Sequence, residues 1–222
     1  MDQLTLVIPA KNEEETLPTV LKDLKKYKLN ITVVLEKTDF KTINAIKDFD
    51  CNILYQSGNG YGDALIQGIN NVQTNYFCIF NADGSFLSKE LDEMFLNVKR
   101  DNVDFVFGSR YMKDGYSEDD TIITLIGNKI FSFLGNLLFS LRISDILYTF
   151  VMGDTKKTKE LNLKENDFAF CVELPIKAKK AGHKLISVPS YEKPRIAGRK
   201  KVNALKDGTM ILISMIKLFF KR

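Results

Sequence analysis

The stretch Phe77-Cys78-Ile79-Phe80-Asn81-Ala82-Asp83-Gly84-Ser85 ends a short apolar run in a carboxylate set between small residues. A buried strand whose carboxyl end opens into a site has this form. Asp83 then either serves a cation or polar ligand, or does no more than cap a turn. The start of the chain repeats the pattern: Leu4-Thr5-Leu6-Val7-Ile8 runs into Pro9-Ala10-Lys11-Asn12-Glu13-Glu14-Glu15. Two strands ending in acid-bearing loops imply one shared crevice for a polar ligand.

Other chemistry-bearing residues are sparse. His183, the only histidine, follows Gly182 and has no partner at ligand spacing, so it reads as structural. Cys51, Cys78 and Cys171 lie in or near apolar runs without CxxC spacing, as reduced core residues of a cytosolic protein do. Lys193, Arg195, Arg199, Lys200 and Lys201 crowd into one basic run, which is either an anion site or a solvated loop.

The elements that must position these residues alternate regularly in the first half. Strands are expected at 4–9, 31–35, 52–55, 76–80 and 103–107, and helices at 13–27, 40–48, 61–72 and 88–99. Such alternation predicts an α/β fold, a mostly parallel sheet covered by helices on both faces, with ligands outside the strands' carboxyl ends. Asn12 is the expected cap of the first helix, with Glu13 to Glu15 in its first turn. Later, 121–141 is dense in Ile, Leu and Phe but interrupted by Gly127-Asn128-Lys129 and Gly135-Asn136. A helix at 167–181 and a strand at 184–188 follow. The last stretch, 203–220, is apolar except for a polar stripe at Asp207, Ser214, Lys217 and Lys221, which share one helical face.

The chain of 222 residues, with 45% apolar residues and a formal charge of +4, suits one globular domain. One clustered basic loop without interleaved aromatics is a poor nucleic-acid surface. No signal peptide is expected, nor a segment of the roughly 18 apolar residues a bilayer span needs.

In order along the chain, Val7-Ile8-Pro9-Ala10-Lys11-Asn12-Glu13-Glu14, Gly60-Tyr61-Gly62-Asp63-Ala64-Leu65 and Asn81-Ala82-Asp83-Gly84-Ser85 resemble segments of the family two glycosyltransferases of the GT-A (Rossmann-like) fold. Gly108-Ser109-Arg110-Tyr111, Leu141-Arg142-Ile143-Ser144-Asp145, Phe170-Cys171-Val172-Glu173-Leu174 and Arg195-Ile196-Ala197-Gly198-Arg199-Lys200 extend the likeness. Within the family the chain is most similar to the dolichyl- or polyprenyl-phosphate sugar synthases. It departs in three places: Asn81 stands for the first acid of the Asp-x-Asp metal motif, Leu35-Glu36-Lys37-Thr38-Asp39 replaces an acidic pair with Gly-Ser, and Lys11 replaces an aromatic residue.

The wide apolar face and basic end of the amphipathic helix over 203–222 suit a membrane surface, another subunit or a cap on the domain equally. The resemblance implies a catalytic domain over 1–202. It implies a nucleotide-diphosphate sugar as donor and Mg²⁺ or Mn²⁺ held by Asp83 with Ser85 in support. Pro9, Glu13, Glu36, Gly62 and Asn81 would bind the nucleotide sugar. Arg110, Lys129, Arg195 and Lys200 would bind the acceptor phosphate, with Asp83, Arg110 and Asp145 catalytic. The expected activity is inverting transfer onto a polyprenyl phosphate at the cytoplasmic face of the cell membrane. Two alternatives stay open: transfer to a hydroxyl, with Asp145 or Glu173 as base, and a degenerate nucleotide-sugar-binding protein.

Overall fold

The computed structural model describes residues 1–197 and 204–221. The first half runs β1 (Leu4–Pro9), α1 (Leu17–Leu24), β2 (Asn30–Leu35), α2 (Phe40–Ile46), β3 (Asn52–Tyr55), α3 (Tyr61–Asn71), β4 (Tyr76–Ile79), α4 (Glu90–Val98) and β5 (Phe105–Ser109). The second half runs β6 (Tyr116–Ser117), α5 (Ile122–Phe139), β7 (Val151–Asp154), α6 (Thr155–Glu160), α7 (Phe170–Lys180), β8 (Leu185–Pro189), β9 (Tyr191–Glu192) and α8 (Ala204–Phe220).

Seven strands form one sheet in the order β3-β2-β1-β4-β7-β5-β8, and β6 pairs with β9 apart from it. Every neighbour pair in the large sheet is parallel except those of β7, which runs antiparallel to both β4 and β5. Alternation along each strand feeds two cores. Val7, Val34, Phe77 and Phe105 face α3, α7 and α8. Leu6, Ile8, Val33 and Cys78 face α1 and α4. Coverage on both faces is why these strands read as unbroken apolar runs.

The first-half elements lie where the sequence places them, except that α1 starts at Leu17 rather than 13. Asn12 is not its cap. It sits at φ 53°, and its backbone N–H donates to Asp39 Oδ2 at 2.8 Å. Glu13 to Glu15 therefore form a loop before the helix, and Pro18 opens the helix itself. β7 was not expected, because four residues, three of them buried, give too short a pattern to separate strand from coil.

Two departures concern the apolar helices. α5 passes through Gly127 and Gly135 without a break. Its 18 residues are long and apolar enough to cross a membrane by length and composition, and only 17% of it is buried, contrary to the expectation that no segment reaches that length. α8 packs on the domain through its apolar residues, and of the expected polar stripe Lys217 and Lys221 are exposed while Ser214 is turned inward. Ser214 is 2% exposed and donates to Glu165 Oε1 at 2.9 Å, beside buried Ile211, Met215 and Leu218. Its apolar residues therefore also face solvent, and α8 contributes to the core of the domain.

Candidate active site

Because β1, β2, β4 and β5 are parallel, their carboxyl ends open on one edge of the sheet. The antiparallel β7 brings its amino end, with Tyr148 and Thr149, to that same edge. A cleft of about 400 Å³ lies there, with Pro9, Glu13, Glu36, Asn81, Asp83 and Arg110 among its walls. Residues from four strand ends thus meet around one space, as the two acid-bearing loops predicted.

Asp83 stands in a turn that only glycine completes. Gly84 has φ +80°, and a Cβ there would lie 2.4 Å from the Ile196 side chain. Asp83 Oδ1 accepts the Ser85 N–H at 3.0 Å and the Ser85 hydroxyl at 2.7 Å. Ser85 is 1% exposed, so the expectation that it ligates a metal is corrected: its hydroxyl is turned onto Asp83 and fixes that carboxylate. Asp83 Oδ2 faces Arg195 Nη1 at 3.8 Å. Asn81 lines the cleft, its amide 3.4 Å from the Ser85 hydroxyl.

Arg195 reaches this place because its segment is hydrogen-bonded to the Asp83 loop: Lys193 N–H donates to Ser85 O and Ile196 N–H to Asp83 O, both at 2.9 Å. Its Nη2 donates to Asp119 Oδ2 at 3.1 Å, while Nε is buried with no partner. Arg195 therefore bridges Asp83 and Asp119 across the cleft with one donor unspent. Lys200 lies outside the described residues.

Arg110 is held very differently. Its Nε and Nη2 donate to Asp145 at 2.7 and 3.1 Å and Nη1 donates to Glu192 at 3.0 Å, with Asp120 3.7 Å away. Tyr148 and Tyr111 lie against the guanidinium, 4.6 and 5.2 Å from ring centroid to Cζ. Burial opposes its charge, but Asp145 and Glu192 more than offset that and raise its pKa well above the ordinary value. Asp145 is 0% exposed, with both oxygens on Arg110, so it cannot reach an acceptor as base. Arg110 touches the cleft, yet its donors are spent on carboxylates rather than offered to phosphate. Glu173 is likewise committed: it accepts the Lys164 and Glu165 backbone N–H groups at 2.8 Å and pairs with Lys177. Lys129 is exposed on α5, 5.8 Å from the Tyr111 ring centroid, and is not brought into the cleft wall.

On the opposite wall, Lys11 donates to Glu36 at 2.6 Å. Glu13 accepts the Thr16 hydroxyl at 2.7 Å. Both acids, with Pro9, line the cleft where a nucleoside was expected. Gly62 does not. A Cβ on it would lie 2.1 Å from Glu165 O, so that glycine allows close approach of the chain to itself. Cys171 lines the cleft as an apolar wall, because burial pushes its thiol up to about 12. His183 sits by Asp104, just before β5 and so at the sheet edge away from the cleft.

Sequence reasoning missed Asp119, Asp120 and Glu192. The two aspartates precede the Thr121 cap of α5, where acids are ordinary, and Glu192 lies in a two-residue strand. Nothing local marks them. Among the described residues no group of three or more His, Cys, Asp or Glu side chains is placed to hold a metal ion.

The sheet order and the cleft at its carboxyl edge define a GT-A fold of the nucleotide-binding α/β class. Residues 5–161 match the family model described as glycosyl transferase family 2, and the chain belongs to that family. An uncharacterized glycosyltransferase of Mycobacterium tuberculosis is 24% identical over 212 residues, 96% of this chain and 95% of that one. An uncharacterized protein of Methanocaldococcus jannaschii is 30% identical over 196 residues, 85% of this chain and 80% of that one. Among solved structures, glucosyl-3-phosphoglycerate synthase of M. tuberculosis with Mn²⁺, uridine diphosphate and glucosyl-3-phosphoglycerate superposes with a TM-score of 0.72 at 11% identity, over 98% of this chain and 80% of that one. Mannosyl-3-phosphoglycerate synthase of Rubrobacter xylanophilus does so at 0.65 and 14%, over 97% and 72%.

Proposed function

We propose that this glycosyltransferase moves a sugar from a nucleotide-diphosphate donor onto the phosphate of a polyprenyl-type acceptor by a single inverting displacement. The observation that carries this reading is the state of the acids. A hydroxyl acceptor needs a positioned base, whereas a phosphate is already an anion near neutral pH. Asp145 and Glu173 are both buried and spent on structural partners. In the reaction an acceptor phosphate oxygen bonds to the sugar's anomeric carbon, and the nucleoside diphosphate leaves with the electron pair of the broken C–O bond.

The residues fit a divalent cation that arrives with the donor. Asp83 offers one oxygen, and Mg²⁺ needs only one or two carboxylates when phosphates and water complete its shell. When bound, Mg²⁺ or Mn²⁺ supplies Lewis acidity to the diphosphate, as both accompany uridine diphosphate in the M. tuberculosis synthase. Asp83 holds that place and Ser85 orients it. Glu13 and Glu36 contact the nucleoside, and Arg195 pairs with phosphate through its unspent donor.

The test is transfer of labelled sugar into an organic-extractable lipid, given polyprenyl phosphate and a panel of nucleotide sugars. Label is expected with Mg²⁺ or Mn²⁺, and Asp83→Ala is expected to lower it roughly a thousandfold while leaving the fold intact. An active Asp83→Ala enzyme would overturn the metal assignment. A second reading rests on Asp119, a cleft acid set beside Arg195, which also faces Asp83. Transfer to a saccharide hydroxyl that vanishes in Asp119→Asn would establish that reading instead.

A further inference from the structure

Helices α5 and α8 lie against one another, with Phe139 and Phe219 meeting edge to face at 6.0 Å. On α5 the side chains of Ile122, Ile123, Ile126, Ile130, Phe133 and Leu137 are each more than half exposed. On α8, Leu205, Leu212, Ile213, Ile216, Phe219 and Phe220 also face solvent. Isolated exposed apolar residues are ordinary, but a contiguous face of two helices marks an interaction surface.

α5 is not free to leave the domain and cross a bilayer. Asn136 exchanges two hydrogen bonds with Ile143, at 2.7 and 3.1 Å, and the Ser132 hydroxyl accepts the Ile146 N–H at 3.1 Å. Its inner side, at Thr124 and Asn128, walls the cleft, as Ile211 of α8 does. The apolar face is therefore the outside of the cleft wall, and whatever covers it must lie along it.

Charge chooses the occupant. Between 122 and 139 the one charged residue is Lys129, which is exposed. α8 carries Lys206 and Lys217 against a single acid, the half-buried Asp207. At the carboxyl ends of both helices stand Arg142, Lys217 and Lys221, all exposed, with Lys180 held by the Leu218 and Lys221 carbonyls. The acids near this face are Asp207 and, before α5, the exposed Glu118 with Asp119 and Asp120 turned to the cleft, so a second copy would bring more cations than acids to meet them. An anionic sheet meets them all.

We propose that α5 and α8 together form a membrane-docking surface that lies flat on an anionic bilayer, their apolar side chains in the headgroup–acyl boundary and the cations against lipid phosphates. Docking depends on no step of the transfer reaction, and α5, not the C-terminal helix alone, makes half of the contact.

The chain has no tryptophan, so Phe133→Trp on this face and Leu96→Trp on α4 (69% exposed) give single reporters in the full protein. With phosphatidylglycerol–phosphatidylcholine vesicles, and no donor, acceptor or metal present, Phe133→Trp is expected to shift blue and to be quenched by brominated acyl chains. Leu96→Trp is expected to do neither. Ile126→Ser and Ile216→Ser should each lower partition roughly tenfold, and Lys217→Gln about fivefold, with unchanged thermal melts. Absent or equal quenching of the two reporters overturns the proposal. Equal partition into neutral vesicles, or a dimer in light scattering whose Phe133→Trp emission is already blue without vesicles, overturns it too.

Discussion

Two arginines of the same cleft show how geometry separates structure from function. Arg110 is enclosed by Asp145, Glu192 and Asp120 between two tyrosine rings, every nitrogen facing a carboxylate. Arg195 is a quarter exposed, shares itself between Asp119 at 3.1 Å and Asp83 at 3.8 Å, and leaves Nε without a partner. Both sit in segments that resemble a phosphate-binding set. A buried guanidinium whose every nitrogen already donates to a carboxylate has little left to offer a ligand. One that lines the cleft beside Asp83 with a nitrogen left unpaired does.

The contrast breaks most decisively at Arg110. Arg110→Met keeps volume but strands Asp145, a wholly buried carboxylate. Leaving one partner of a buried ion pair costs about 3–5 kcal/mol, so the urea midpoint should fall sharply. A variant within 1 kcal/mol of the parent, by the ordinary surface-pair measure, would show that the enclosure is not structural.

Arg195→Ala should give the reverse profile. Its pairs are partly solvated and contribute at most about 1 kcal/mol, so stability should hardly move. Transfer should fall by roughly 10- to 100-fold if the guanidinium meets developing phosphate charge. Initial-rate kinetics beside a thermal melt read both quantities. Unfolding without a specific kinetic defect would erase the distinction between the two arginines.

Much of the fold was legible because long alternation leaves few topologies: β1 to β4 with their helices read directly from apolar runs and breakers. Pro9, Glu13, Glu36, Asn81 and Asp83 were legible as cleft residues for the same reason, since each follows a strand's carboxyl end. The partners of Arg110 were not. Asp145, Glu192 and Asp120 come from three distant segments, and only the placement of the antiparallel β7 and the small β6–β9 pair brings those segments together. On α8, Lys217 and Lys221 are exposed as the polar stripe implies, but Ser214 of that stripe meets Glu165 inside the domain, a contact no periodicity contains.

The smallest expected effect joins the two regions. Glu90, in the first turn of α4, accepts the Ser190 hydroxyl at 2.6 Å and the Tyr191 N–H at 2.9 Å, and so anchors the strand that leads to Glu192 and then Arg195. Burial raises its pKa from 4.5 to about 7, against the opposing pull of the Ser190 hydrogen bond. A carboxyl raised on folding contributes stability that is whole below pH 4.5 and is lost as pH rises through 7. Glu90 is only partly buried, so the loss at pH 8 should be about 1 kcal/mol, a few degrees in melting temperature. Glu90→Gln keeps the acceptor oxygen and removes the titration, and its melting temperature should therefore not follow this decline. If the parent weakens but the Arg195-dependent transfer rate stays level from pH 6 to pH 8, Glu90 supports only the enclosed arginine; if both decline together, the anchor serves the open one as well.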